Sequence, residues 1–355
     1  LAVVLCLTVA PSRFWKRAGC MMKTTPLFSA LGFSKIFLSV VILIIVLSGL
    51  AIPSLIKSTF YLGLFINAIT LGIAALSIGF LAHQCGLIMF GAAGFTGGAT
   101  YLFGIAVMYF NWDVTSAAVF CLASSTLISL LMGMVMVRAR PLPFAMMTLA
   151  LAQMLHSVVK LTAYREVTGA DDGLTLNWSG NFFGMTQAEL ARPANFWTVA
   201  WLALCGVMLL AWWVGQSRAG EILRATKANE ERMRFSGFNT YVPRVLAFGL
   251  AGFIAAVSGL LVGLHSAFAS PELLDFTTGA NSLVSMLIGG ATVVTGPILG
   301  ALLYTMGQDQ FGASGHLELL TGVGVVIVVV AFPKGAIGFV QSGIKRLTGR
   351  HHASN

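Results

Sequence analysis

Charge is what this chain has least of. Only 9% of its 355 residues are Asp, Glu, Lys or Arg, while 57% are apolar and the mean hydropathy is +0.88. A soluble domain carries roughly a quarter charged residues, so a soluble globular fold is excluded. Between Ser58 and Trp112 there is no charged residue at all. Ion-driven carriers usually need an ionisable group inside the membrane, so these spans offer no evident proton or sodium relay, although carbonyls alone can hold sodium. Energy is therefore expected from outside the bundle. It does not come from nucleotide bound here: GxxxxGK(S/T) is absent, and the Gly-rich Gly86–Tyr101 stretch "GLIMFGAAGFTGGATY" has no Lys to meet phosphate. HExxH and GxSxG are missing as well, so no catalytic residue and no metal site is expected. The six histidines include no pair at helical ligand spacing, and the five cysteines form no CxxC, which leaves them as small buried residues.

What is present is a series of apolar runs without the alternation of an outer-membrane barrel, so the fold class is an all-α polytopic membrane protein. Spans are expected at about 36–53, 59–82, 86–110, 114–137, 143–162, 196–215, 244–265, 281–307 and 317–333, each near the ~20 residues that cross a bilayer. Residues 1–35 and the tail 334–355 are basic with no acid, so both termini are expected in the cytoplasm. Nine full crossings cannot satisfy both. The run 281–307, interrupted by Gly289-Gly290 and Gly296-Pro297, is therefore expected to be a broken pair of half-spans, leaving eight full transmembrane helices. Seventeen of the 21 basic residues then lie inside, which is the bias the positive-inside rule asks for. The chain opens without Met, and "MMKTTP" at Met21 points to an alternative start, so residues 1–20 carry no functional reading. Three GxxxG spacings, Gly94/Gly98, Gly259/Gly263 and Gly296/Gly300, are read as helix packing. A shared "GGAT" in the two Gly-rich segments hints at inverted repeats.

The missing charge is concentrated in one place. Eight of the seventeen residues in 218–234, "RAGEILRATKANEERMR", are charged, within a long connection at 216–243. No proline interrupts the stretch and Gly237 supplies a stop, so a short helix over 221–234 is expected. Basic residues could rest it on anionic headgroups; both signs together suit a protein partner better.

This stretch resembles the cytoplasmic loop of permease subunits of branched-chain amino acid (LIV-type) ABC importers, approximately RAxRENExAAxxxGIN. Arg224, Ala225, Asn229, Glu230, Gly237 and Asn239 match and Lys227 substitutes conservatively. Four other stretches are similar in order: "GLIMFGAAGFTGGATY", "VTGADDGL" at Val167–Leu174, "SPELLDFTTGANSLVSMLIGGATVVTGPILGALL" and "VVAFPKGAIG". Met89, Ala92, Arg232, Met233 and Asn281 depart from the pattern.

The resemblance implies a permease domain over 36–333 in a bacterial inner membrane. It implies a periplasmic loop at 163–195 meeting a solute-binding protein near Asp171 and Asp172. It implies a coupling helix that docks on an ATP-binding subunit through Glu221, Arg224, Lys227, Asn229, Glu230 and Gly237. Gly86, Gly91, Gly97, Gly289, Gly290, Gly296 and Pro297 would line the path or pack its helices. The implied partners are a second permease, two ATP-binding subunits carrying ATP and Mg, the binding protein and membrane lipid, with no nucleic acid and no cofactor on this chain. The solute would be a branched-chain amino acid or a related small molecule, urea and sugars remaining open. A stand-alone secondary carrier or channel for a small neutral or zwitterionic solute is the alternative reading.

Overall fold

The computed structural model describes residues 58–312 except 179, 183 and 291–294, together with Gly49, Pro53 and Gly322. Apart from those last three residues, the expected spans 36–53 and 317–333 lie outside the described residues, as do the two basic termini. The main helices are α1 (Thr59–Cys85), α2 (Ala92–Met108), α3 (Val114–Met136), α4 (Pro141–Val159), α5 (Pro193–Gln216), α6 (Arg218–Ala228), α7 (Glu230–Phe235), α8 (Tyr241–Ser266), α9 (Phe276–Gly289) and α10 (Gly296–Gly312). Five of them, α1, α3, α4, α5 and α8, are long and apolar enough to cross a membrane. The protein is thus a multi-pass helical membrane protein, and five of the eight expected crossings coincide with these helices.

Helices α1 and α8 are apolar all round and mostly buried, as central helices must be. They pack on each other, with α5, α9 and α10 against α1 and with α2 and α3 against α8. Helices α3, α4 and α5 expose apolar faces, Leu131 and Val135 on α3 and Leu142 and Met146 on α4 among them. Water would penalise such faces; lipid does not. In lipid, helices associate through close packing and hydrogen bonds, and the small residues supply both. A Cβ on Gly259 of α8 would overlap the Thr96 carbonyl of α2, and the Thr100 hydroxyl donates to the Gly259 carbonyl at 2.8 Å. Ser258 of α8 donates to the Thr70 carbonyl of α1 at 2.7 Å, and Ser129 of α3 to Gly249 of α8 at 3.2 Å. Gly263, Gly296 and Gly300 also sit at close approaches, as their GxxxG spacing suggests, whereas Gly98 faces open space.

Two expectations need correction. The run 86–110 is not one helix. Gly86 takes φ 70, a left-handed conformation that ends α1, and Gly86–Gly91 crosses the core without helical bonds before α2 begins at Ala92. At 17 residues, α2 is only ~25 Å long. The two "GGAT" copies also differ in setting: the first lies inside α2, while Gly289-Gly290 ends α9, so the match does not mark equivalent places.

The broken span is a hairpin. Helix α9 ends at Gly290 (φ 88), and α10 starts at Gly296-Pro297. Gly289 lies against Gly296, Gly300 against the Ser285 carbonyl, and Tyr304 donates to Asn281 at 2.8 Å, so the arms run antiparallel. At ~21 Å, α9 is too short to cross the ~30 Å hydrocarbon core. By Tyr304 the chain has returned to the level of Asn281. Cysteines replacing Glu272 and Asp309, both exposed, are expected to react with an impermeant maleimide from the same side, opposite to one replacing Arg224; labelling of 272 and 309 from opposite sides would reject the hairpin.

Candidate functional site

Midway along the bundle, α1, α2, α8 and α9 enclose a cavity of about 170 Å³. Its polar lining is hydroxyl only: Thr70, Thr96, Thr100, Ser258, Thr278 and Ser282. Each of these hydroxyls donates to a backbone carbonyl: Thr70 to Asn67 at 3.0 Å, Thr96 to Ala93 at 3.1 Å, Thr278 to Glu272 at 2.8 Å, Ser282 to Thr278 at 3.2 Å, and Thr100 and Ser258 across helices as above. Serine and threonine in helices spend their hydroxyl hydrogens this way, leaving oxygen lone pairs as what they present to a guest. Among the described residues, no charged side chain lines the cavity. A larger recess of about 650 Å³ by Asp113 and Asn181 is open and borders the exposed flank of α3 at Val119, outside the bundle core.

Of the glycines expected on a path, Gly97 alone lines this cavity; it also lies against the Leu273 carbonyl. The others serve the backbone. Gly91 presses on the Thr148 carbonyl of α4, Gly296 on the Gly290 carbonyl, and the Pro297 ring occupies the space beside Gly79. Sequence reasoning missed the hydroxyls themselves. Their signal is a Thr/Ser pair four residues apart in a glycine-rich span, Thr96/Thr100 and Thr278/Ser282, which puts two oxygens on one face.

At one end of the bundle stands the charged element. It is two helices, not the expected one over 221–234. Asn229, at φ −160 and ψ 99, breaks the helix, and its side chain accepts from the Arg232 amide at 2.9 Å to cap α7. Asn229 is thus a hinge cap. Gly237 ends α7 at φ 79, as expected, with the Phe238 amide reaching back to Met233. Gly220, Leu223 and Thr226 of α6 face the bundle and are buried. Glu221, Arg224, Glu231, Arg232, Arg234 and Phe235 face out, Phe235 with 85% of its surface exposed.

Two expected docking residues bond back to the bundle while keeping exposed surface. The Lys227 ammonium donates to the carbonyls of Ala82 and His83 at 2.8 and 3.1 Å, where α1 ends. Glu230 pairs at 2.8 Å with Arg244, on the first turn of α8 and largely covered. Tyr241, beside it, donates to Met134 of α3 and lies under the Arg138 guanidinium.

At the opposite end, Asp171 and Asp172 are exposed and pair with Lys160 and Arg165 at 3.8 and 2.7 Å. Exposed pairs of this kind contribute little to stability, so the carboxylates remain at the surface. Their loop is fixed instead by Leu174–Thr175 pairing with Phe268–Ala269, just past α8, and by the Thr168 hydroxyl on the Val159 carbonyl. Asp275, capping α9 nearby in sequence, is held below the usual carboxylate range chiefly by the Thr277 hydroxyl.

Met89 and Ala92, which depart from the family pattern, are fully buried in the core. Asn281 accepts from Tyr304, which accepts from Gln308 at 3.1 Å, so a neutral chain of hydrogen bonds joins the hairpin arms.

The model of the family described as branched-chain amino acid transport system, permease component, matches residues 60–331. The ribose import permease protein of Escherichia coli (strain K12) is 24% identical over 219 residues, covering 59% of this chain and 65% of that protein. The autoinducer 2 import system permease protein of Salmonella paratyphi B is 27% identical over 144 residues, 38% of this chain and 42% of that protein. The match thus spans just under two thirds of the length of the ribose permease. No solved structure matches.

Proposed function

The chain belongs to the branched-chain amino acid transport permease family, and from that premise we propose that it is the membrane-spanning subunit of an ATP-driven importer in a bacterial inner membrane. The observation that carries this reading is the charged element of α6 and α7, bonded on its inner face to two cavity-lining helices and presenting charge and an aromatic ring on its outer face. The basic bias favours a cytosolic side for that element. There it would meet an ATP-binding subunit, which would hold ATP and Mg. A second permease would cover part of the apolar flank, and the Asp171–Asp172 loop would face a solute-binding protein.

For the solute, the family description suggests a branched-chain amino acid, and the relatives are named for ribose and autoinducer 2. The cavity favours a neutral solute rich in hydrogen-bond donors, such as a sugar or polyol. An amino-acid carboxylate would meet oxygen lone pairs and no side-chain N–H or cation, and burying it unpaired costs several kcal/mol. Hydroxyl donors suit the same oxygens.

The test is reconstitution. A tagged chain, expressed with its genomic neighbours, is expected to co-purify with ATP-binding subunits and to take up radiolabelled solute into liposomes only with ATP. In a solute screen with the cognate binding protein, sugars should outcompete leucine. Uphill uptake by the isolated polypeptide would overturn the importer reading in favour of a stand-alone carrier.

A further inference from the structure

The cavity and the charged element lie at different levels of the bundle, and two side chains join them. Helix α1 ends with backbone carbonyls that have no partner within the helix, as every helix does. In this chain the Lys227 ammonium fills that role on Ala82 and His83, placing a cation at the negative end of the α1 dipole. The seat is built for it. A Cβ at Gly86 would stand 3.1 to 3.5 Å from the Lys227 methylenes, so the stem lies directly over this residue, and glycine takes φ 70 there without strain.

Glu230 provides the second link. It sits one residue beyond the Asn229 break, in the first turn of α7, and reaches Arg244 on α8. Thus α6 is fastened to α1, and α7 to α8, on either side of a hinge. These two helices carry Thr70 and Ser258 of the cavity and are joined there by the Ser258–Thr70 hydrogen bond. A change in the angle at Asn229 would move the inner ends of α1 and α8 relative to each other, about that bond.

We propose that Lys227 and the Glu230–Arg244 pair are positioning residues that transmit movement of the charged element to α1 and α8, and that they are not contacts for the ATP-binding subunit. The proposal rests on the permease reading above and assigns a role inside it. Both groups keep exposed surface, but each spends its charge on a bond to α1 or α8, which a docking contact would have to break.

The experiment uses the intact complex in liposomes. Lys227→Met keeps the apolar stem and removes the donor; Lys227→Arg keeps a donor. The Met variant is expected to co-purify the ATP-binding subunits at the wild-type ratio. Its solute moved per ATP hydrolysed should fall at least tenfold, and Arg should restore at least half of that coupling. Glu230→Arg and Arg244→Glu should each uncouple, and the double exchange should recover. Because either single change at Arg244 could disturb folding, the Lys227 series is judged first, on protein of unchanged thermal midpoint in detergent. Unchanged solute per ATP in Lys227→Met would overturn the proposal. So would loss of the ATP-binding subunits from a folded Lys227→Met protein, since that marks a docking contact while leaving the permease reading intact. Failure of the unaltered chain to capture such subunits would instead remove the permease reading, and the proposal with it.

Discussion

Gly259→Ala is expected to abolish accumulation of folded protein, although it adds a single methyl group. The new Cβ would overlap the Thr96 carbonyl, and the Thr96 backbone carbon would stand 2.8 Å away. Backbone cannot rotate aside as a flexible side chain can, so α2 and α8 would have to part. Their separation would break the Thr100–Gly259 hydrogen bond and unpack Phe95 from Phe248, whose rings meet edge to face at 5.6 Å. Overpacking alone costs about 1–3 kcal/mol, more when backbone must move. Added to the lost bond, this is a large fraction of the stability of an ordinary domain. Gly206→Ala is the control. A Cβ there meets nothing within 4 Å among the described residues, and alanine is the better helix former in α5. Thermal midpoints in detergent and size-exclusion profiles should show normal or raised stability for Gly206→Ala and aggregated or absent protein for Gly259→Ala. A monodisperse Gly259→Ala protein with an unchanged midpoint would mean that the two helices are not in backbone contact.

That contrast marks how far the sequence could be read. Spans at 114–137, 196–215 and 244–265 agree with their helices to within a few residues, because an unbroken apolar run of this length has few alternatives in lipid. The break at Gly289–Pro297 was legible from glycine and proline and from the parity of charged ends. What composition hides is which glycine touches what. Gly259 and Gly98 share the same GxxxG signal, yet Gly259 packs on the Thr96 carbonyl while Gly98 meets nothing within 4 Å among the described residues. The start of α2 was misplaced for a related reason: Leu87 and Met89 are as apolar as any helix residue, and only the left-handed turn at Gly86 shows that the segment is not helical. In the charged element, spacing alone could not sort the cations. Gly220, Leu223 and Thr226 recur three apart and mark the buried face, but Arg224 lies four residues from Gly220 and three from Lys227, so both cations flank that face. The inward use of Lys227 required the carbonyls of Ala82 and His83, which are 145 and 144 residues distant in sequence and carry no signal of their own.

The outward face then carries the second large effect. Phe235 closes α7 with 85% of its surface exposed, beside Arg234 and across the hinge from Arg224. An aromatic ring flanked by guanidinium groups has the composition of an interface anchor, since aromatic and arginine side chains dominate binding energy when a partner covers them. Phe235→Asp combined with Arg224→Glu removes the anchor and reverses one charge, while touching none of the bonds that hold α6 and α7 to the bundle. Each anchor of this kind contributes at least about 2 kcal/mol, so the pair should weaken association roughly a thousandfold. Pull-down of the ATP-binding subunits and ATP-dependent uptake are both expected to vanish from a variant of normal thermal midpoint. Lys227→Met is expected to keep the first and lose only the coupling, so the two variants separate gripping from transmission. Retention of both subunits and uptake by the Phe235→Asp, Arg224→Glu protein would show that the partner grips elsewhere, and the exposed ring would then need another explanation.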